Sequence, residues 1–282
     1  MRLLVLLLSS LILNGCLHSE PKSNSNIQQQ LINSGIEDAQ FIDCLLVAHE
    51  EHKKIGVAEL EKIKLINCKD YNIYSIKGIN YFQNLETLIL QGNLLVDIDL
   101  SSLKELSVLI IEDELSLINI NFGESSRLEI IEIENTSISS LSIPNNLVPF
   151  RFSIRYMEME EIDFGVSSMV QNLRIYDSSL PILNVGDFQF LEFIFIEDSV
   201  VSEVVVNNAQ NLIGMAVVNL GLASIELRNL PLLYSASLHD NILDSVVVES
   251  TPSLRIASFD NNNLSDEIKI YLDSLSILNL SY

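Results

Sequence analysis

Few residues in this chain have the type and spacing to do chemistry. The three cysteines are Cys16, Cys44 and Cys68, and His49 and His52 flank Glu50 and Glu51. Two imidazoles three apart share one face of a helix, but the zinc-hydrolase pattern needs H-E-x-x-H and the order here is His-Glu-Glu-His. The expectation is a solvated helix face and no metal. Cys44 and His49 are five apart, so on a helix they diverge, which argues against a thiol–imidazole nucleophile. Glu129, Glu132 and Glu134 form an acidic run whose last two members share a strand face. Nothing nearby separates their pKa values as acid–base work requires. The sequence has no glycine-rich phosphate loop and no serine elbow. No catalytic residue, no cofactor and no enzyme activity are therefore expected.

The first thirty residues carry a different kind of signal. Arg2 precedes an apolar run from Leu3 to Leu13, too short for a membrane span and followed by small and polar residues. Leu13-Asn14-Gly15-Cys16 resembles the bacterial lipobox, with Asn14 a departure from the usual residue at its position. That resemblance implies cleavage before Cys16 and acylation of Cys16, a multi-chain anchor. Leu17 after the cysteine resembles the sorting signal of outer-membrane lipoproteins, should the cell be Gram-negative. The Ser, Asn and Gln-rich residues that follow read as a flexible tether. Export also places Cys44 and Cys68 where a disulfide can form, although spacing alone cannot fix their Cα distance, and two buried thiols remain the alternative.

The elements that position everything else come from a repeat. From Leu128, steps of 21 reach Pro149, Val170, Leu191, Leu212, Leu233 and Leu254, and each unit is apolar at offsets 0, 3, 5, 10, 13 and 15. Of these 42 positions 39 are hydrophobic, where the 48% hydrophobic composition would give about 20. The register extends upstream through Leu106 and Leu85, with one extra residue before Leu128. Offsets 3 and 5 form a period-2 pattern with one buried face, hence a strand. One unit cannot bury its apolar side alone, so stacked units must share a core. Twenty-one residues leave little room for a helix on the return, which should be extended.

This L-x-x-L-x-L pattern, clearest from Leu85 to Leu100, resembles the leucine-rich repeat and covers roughly residues 60 to 282. The resemblance implies a curved solenoid with a parallel sheet on its concave face and short helical caps. In the family an asparagine at offset 8 bonds the turn backbone. Asn93, Asn241 and Asn262 match it. Thr136, Ser178 and Ser199 have a hydroxyl for part of that task, whereas Glu114, Met157 and Leu220 do not serve it in the same way. The middle of the arc should be less regular than its ends. Residues 36 to 56 read as an amphipathic capping helix, and the segment after it, with Cys68 at offset 8, resembles the first repeat of internalin-like proteins. Ser265-Asp266-Glu267 reads as the start of a short helix, followed by a last half-unit at Leu275, Leu278 and Leu280.

The organisation expected is thus a signal peptide at 1–15, a lipidated cysteine and flexible tether at 16–34, a capping helix at 35–59 and the solenoid at 60–282. Solvent-facing strand positions form the ligand surface of such solenoids. There, Arg151, Arg155 and Arg174 cluster in a chain with only 16 basic residues, beside Tyr176, Phe193 and Phe195. Arginine and aromatic residues are enriched at binding hot spots. The competing expectation is that the arginines simply pair with Glu132, Glu134 and Glu197 across strands. A net charge of -22 disfavours nucleic acid. Together these features imply a protein or peptide ligand and membrane attachment through lipid. A structural or self-associating envelope protein is the alternative, and the oligomeric state is open.

Overall fold

A computed structural model describes residues 25–54, 56, 59–123, 127–143, 148, 150–165 and 169–282. The signal peptide, Cys16, Leu17 and Pro149 lie outside the described residues. The period-2 apolar pairs form one strand per turn, stacked in parallel. In chain order these strands are β1 (Leu65–Lys69), β2 (Thr87–Gln91), β4 (Val108–Glu112), β6 (Ile130–Glu134), β8 (Phe150–Arg155) and β10 (Val170–Tyr176). They continue as β12 (Phe193–Glu197), β14 (Gly214–Val218), β16 (Ser235–Ser237), β18 (Ile256–Ser258) and β19 (Asn279–Ser281). They make a single eleven-stranded sheet in sequence order. The chain is a parallel β-solenoid with one long sheet, the architecture that the leucine-rich-repeat resemblance implies. The return segments are extended, as 21 residues require. They pair as β3 (Asp97–Asp99) with β5 (Asn119–Asn121), β7 (Ser140–Ser142) with β9 (Glu161–Asp163), β11 (Ser179–Asn184) with β13 (Val200–Val205), and β15 (Ser224–Arg228) with β17 (Ser245–Glu249).

The core lies between the long sheet and these short ones. Ile66, Leu88, Leu109, Ile131, Phe152, Leu173, Ile194 and Met215 form one inward row, and Cys68, Leu90, Ile111, Ile133, Ile154, Ile175, Ile196 and Val217 the next. All are buried, and Ile194, Ile196 and Val206 have no exposure at all. At roughly 1.5–3 kcal/mol for each fully buried aliphatic side chain, these rows are the main favourable term.

Each long-sheet strand from β2 to β18 is followed by a left-handed residue at offset 7. Gly92, Asp113, Asn135, Tyr156, Asp177, Asp198, Asn219, Asp240 and Asn261 all have positive φ. Asparagine and aspartate tolerate that conformation by local hydrogen bonding. Asn135, Asn219 and Asn261 each donate to the aspartate one turn earlier, Asp113, Asp198 and Asp240, at 2.7 Å. Offset 8 then turns inward. The amide of Asn241 accepts from Leu220 N–H and Leu222 N–H and donates to three carbonyls. Ser178 and Ser199 do the reduced version, each accepting one backbone N–H and donating to one carbonyl. Thr136 instead donates to the sulfur of Met157 at 3.4 Å. In the middle, the register between β8 and β10 shifts between Val170 and Asn172.

The N-terminal end departs from the sequence reading in three ways. First, part of the expected tether is a helix, α1 (Ser25–Asn33), with Leu31 fully buried. Average composition hides the i, i+4 pair Ile27 and Leu31, which gives this short helix one apolar side. The helix ends in a Schellman motif: Gly35 has φ 89°, Ile36 N–H donates to Leu31 O, and Gly35 N–H donates to Ile32 O.

Second, His49 and His52 are not solvated. Both are buried on α2 (Ala39–Lys54), the capping helix. His52 Nδ1 donates to Ala48 O at 2.8 Å, so Nε2 is free to accept the backbone N–H groups of Lys64 and Leu65, each at 3.3 Å. The histidine thereby satisfies donors at the start of the edge strand β1.

Third, Cys68 is not at offset 8. It sits on β1 in the inward row with Leu90, the offset-5 position. The first unit therefore starts at Ile63, and Leu60 belongs to the 3-10 turn Leu60–Lys62. In that place Cys68 is disulfide-bonded to Cys44 of α2, with Cα atoms 5.6 Å apart. Asp38 completes the cap: one carboxylate oxygen accepts Phe41 N–H, and the other accepts Tyr74 and Ser75 N–H.

At the opposite end α3 (Asp266–Asp273) is capped by Ser265, whose hydroxyl accepts Ile268 N–H. The Tyr271 hydroxyl donates to Val248 O at 2.7 Å and accepts Val248 N–H at 3.0 Å, which fixes the helix to β17. Leu280 joins β19, but Leu278 is exposed rather than part of a buried half-unit.

Candidate ligand-binding face

Alternate residues of the long sheet point away from the core. From β4 to β12 one outward row runs Val108, Ile130, Arg151, Asn172, Phe193. The next runs Ile110, Glu132, Ser153, Arg174, Phe195, and the third Glu112, Glu134, Arg155, Tyr176, Glu197. All six patch residues expected from the sequence share this face, on the three neighbouring strands β8, β10 and β12. Two outward positions are nonetheless buried, Val108 and Gly214. Gly214 lies beneath its neighbours: a Cβ there would be 3.3 Å from the Phe193 ring and 3.2 Å from Ser235 Oγ.

The three arginines behave differently. Arg151 pairs with Glu132 at 2.7 Å, as the cross-strand reading requires. Arg155 and Arg174 do not. Arg155 is the register neighbour of Glu134, yet its guanidinium lies over the ring of Tyr176, 5.1 Å from the centroid, with Tyr156 at 6.0 Å. Arg174 lies over Phe195 at 5.5 Å. Among the described residues neither guanidinium has a hydrogen-bond or ion-pair partner, and the Nε of Arg174 is buried without an acceptor. Phe193 and Phe195 stack with centroids 6.4 Å apart and planes 16° from parallel, forming a platform beside Arg174. Cation–π stacking fixes each guanidinium plane while leaving its N–H edges available.

Across from them stand the carboxylates. Burial raises Glu112 above the ordinary carboxylate range, and Glu134 and Glu132 add to this by like-charge repulsion. Burial also raises Glu134, with Asp113 and Glu132 adding to the shift and Arg155 opposing it. The sequence had given no reason to expect such shifts. These side chains enclose a cavity of about 180 Å³ lined by Glu112, Glu132, Glu134, Ser153, Arg155, Arg174 and Tyr176. Sequence reasoning missed Glu112 and Tyr156 as parts of the site. Tyr156 was legible as the one aromatic residue in the offset-7 series, and Glu112 as the outward neighbour of Glu134.

Among the described residues no three His, Cys, Asp or Glu side chains are grouped to hold a metal ion, and no helix is long and apolar enough to cross a membrane. No family model and no curated protein matches the chain. Among solved structures it is similar to an internalin from Listeria monocytogenes, at 16% identity and a TM-score of 0.28, over 90% of this chain and 96% of the other.

Proposed function

We propose that the chain is a lipid-anchored binding protein of the cell envelope that captures a protein or peptide on the outward face of its long sheet. The supporting observation is the Arg155/Arg174 pair, whose guanidiniums lie over Tyr176 and Phe195 and have no hydrogen-bond or ion-pair partner among the described residues of an otherwise acidic chain. Exposed arginine and aromatic side chains on a rigid sheet lose little entropy on binding and present both donors and apolar area. Attachment through Cys16, at the outer membrane if the cell is Gram-negative, rests on the lipobox resemblance. The function is binding, without catalysis or a cofactor, and the acidic surface directs it away from nucleic acid.

The test is affinity capture from the native envelope with three proteins: wild type, R174A/F195A, and E203A on the opposite face. Partners retained by wild type and E203A but lost by R174A/F195A are the expected result. Identical capture by all three would overturn the reading. A second reading, self-association, draws on Ile270 and Leu278, which are exposed at the α3 end of the solenoid. Light scattering on the purified chain separates the two, since a monomer across concentrations removes self-association.

A further inference from the structure

The cavity between β4 and β10 has walls of opposite charge. Glu112, Glu132 and Glu134 line one side and Arg155 and Arg174 the other, with Ser153 between Glu132 and Arg174 and Tyr176 beyond Arg155. Only Glu132 is engaged in an ion pair, with Arg151. Backbone spacing places β6 and β8 about 5 Å apart, so Glu134 and Arg155 could neutralise each other directly. Instead the guanidinium turns to Tyr176. Both signs of charge are thus presented to the cavity without a direct ion pair between Glu134 and Arg155, although Arg155 still lowers the pKa of Glu134.

That arrangement selects against simple ions. A pure anion drawn to the guanidiniums meets three carboxylates, and a pure cation meets two uncompensated guanidiniums. A molecule carrying both charges satisfies both walls. We propose that this cavity binds a small zwitterion, a free amino acid or a short peptide, its carboxylate on Arg155 and Arg174 and its ammonium on Glu112 and Glu134. The volume fits this size class: about 180 Å³ is below the roughly 300–1,000 Å³ of sites for drug-sized ligands, so a head group enters and the remainder lies along the sheet. Burial and like-charge repulsion raise Glu112 and Glu134, and Arg155 partly offsets the rise at Glu134, so a second positive group is favoured beside them. The Phe193–Phe195 platform adjoins the Arg174 side and offers an apolar rest for whatever the zwitterion carries. The inference rests on the long-sheet face being the ligand surface and names what its central pocket recognises.

The experiment titrates the purified full chain with alanyl-alanine, N-acetyl-alanyl-alanine and alanyl-alanine amide, by calorimetry and by chemical-shift changes. The free dipeptide should bind saturably, and each blocked form at least about ten-fold more weakly, since each has lost one charge-assisted contact. R174Q should abolish the preference for the free acid over the amide, and E134Q the preference for the free amine over the acetylated form. Unchanged circular dichroism shows that both variants are folded. No saturable binding, or equal binding of the three probes, overturns the proposal. Loss of protein capture by R174A/F195A together with no dipeptide binding would sink this inference alone. Unchanged capture with selective dipeptide binding would sink only the protein-ligand reading.

Discussion

Glu114 and Asn93 are joined twice inside the core: Glu114 Oε1 accepts the backbone N–H of Asn93 at 3.1 Å and its side-chain amide at 2.8 Å. Glu114 has no solvent exposure, and its Oε2 has no hydrogen-bond partner among the described residues. A carboxyl group therefore occupies an offset-8 position that the repeat usually gives to an amide, and it serves as acceptor for the preceding turn. Burial raises its pKa above the ordinary 4.5, against the lowering effect of its bonds from Asn93.

The sign of the resulting pH effect is fixed. A carboxyl whose folded pKa is raised costs the folded state nothing below the unfolded value. It costs progressively more as pH rises from about 4.5 towards the folded value, because the unfolded chain ionises first. Glu114→Gln keeps the acceptor and cannot ionise. The stability of E114Q relative to wild type should grow with pH across that window. Urea unfolding at several pH values measures it, and a difference independent of pH would contradict the account.

The offset-8 series predicts a graded response. Asn241→Ala removes an amide with five short contacts to the turn backbone, two accepted and three donated. Ser199→Ala removes one of each. We expect losses of about 3 kcal/mol for N241A and about 1 kcal/mol for S199A, read from urea midpoints. Equal losses would show that the two side chains do the same work.

The Cys44–Cys68 bridge and the His52 contacts to Lys64 and Leu65 both tie the N-terminal cap to the first turn, and each has its own test. Cys44→Ser opens the bridge to Cys68 across a sequence separation of 24, which on loop entropy alone costs about 3 kcal/mol. His52→Ala leaves Lys64 and Leu65 N–H without their acceptor, at about 1–3 kcal/mol. Because each turn contacts mainly its neighbours, hydrogen exchange should rise in α2 and β1 while β14 to β18 stay protected. Uniform exchange along the chain would be the contrary result.

Binding of a zwitterion to the central cavity should weaken on acidification. Glu112 and Glu134 take up protons at higher pH than ordinary carboxylates, so the ammonium contact is lost while the arginines keep their charge. Titrations with alanyl-alanine at successively lower pH should show affinity falling before ordinary carboxylates protonate, and an E112Q/E134Q variant should show weak binding that does not change with pH.

Much of the architecture was legible because a strand alternates its faces with period two. Ile194, Ile196 and Val206 had to point inward together, and Arg174 and Phe195 outward together, once the 21-residue step was recognised. The left-handed series from Gly92 to Asn261 was equally readable as Gly, Asn or Asp at nearly every offset 7. Local composition misled at the ends. Polar residues masked the Ile27 and Leu31 pair, and two histidines flanking a pair of glutamates looked solvated although both are buried and His52 meets β1.

By itself, then, the sequence determined the period, the inward and outward sets, and the place where arginine and aromatic side chains accumulate. These follow from covalent spacing and the pleat, which do not depend on neighbours. Tertiary structure decided partnership: Arg151 to Glu132, Arg155 to Tyr176, His52 to the β1 backbone, and Cys44 to Cys68. For the arginines the choice is between contacts that differ by about 1 kcal/mol, and every one of these partnerships joins residues distant in sequence, up to 24 apart. Strand register and helix docking settle such choices, and one-dimensional order does not encode them directly.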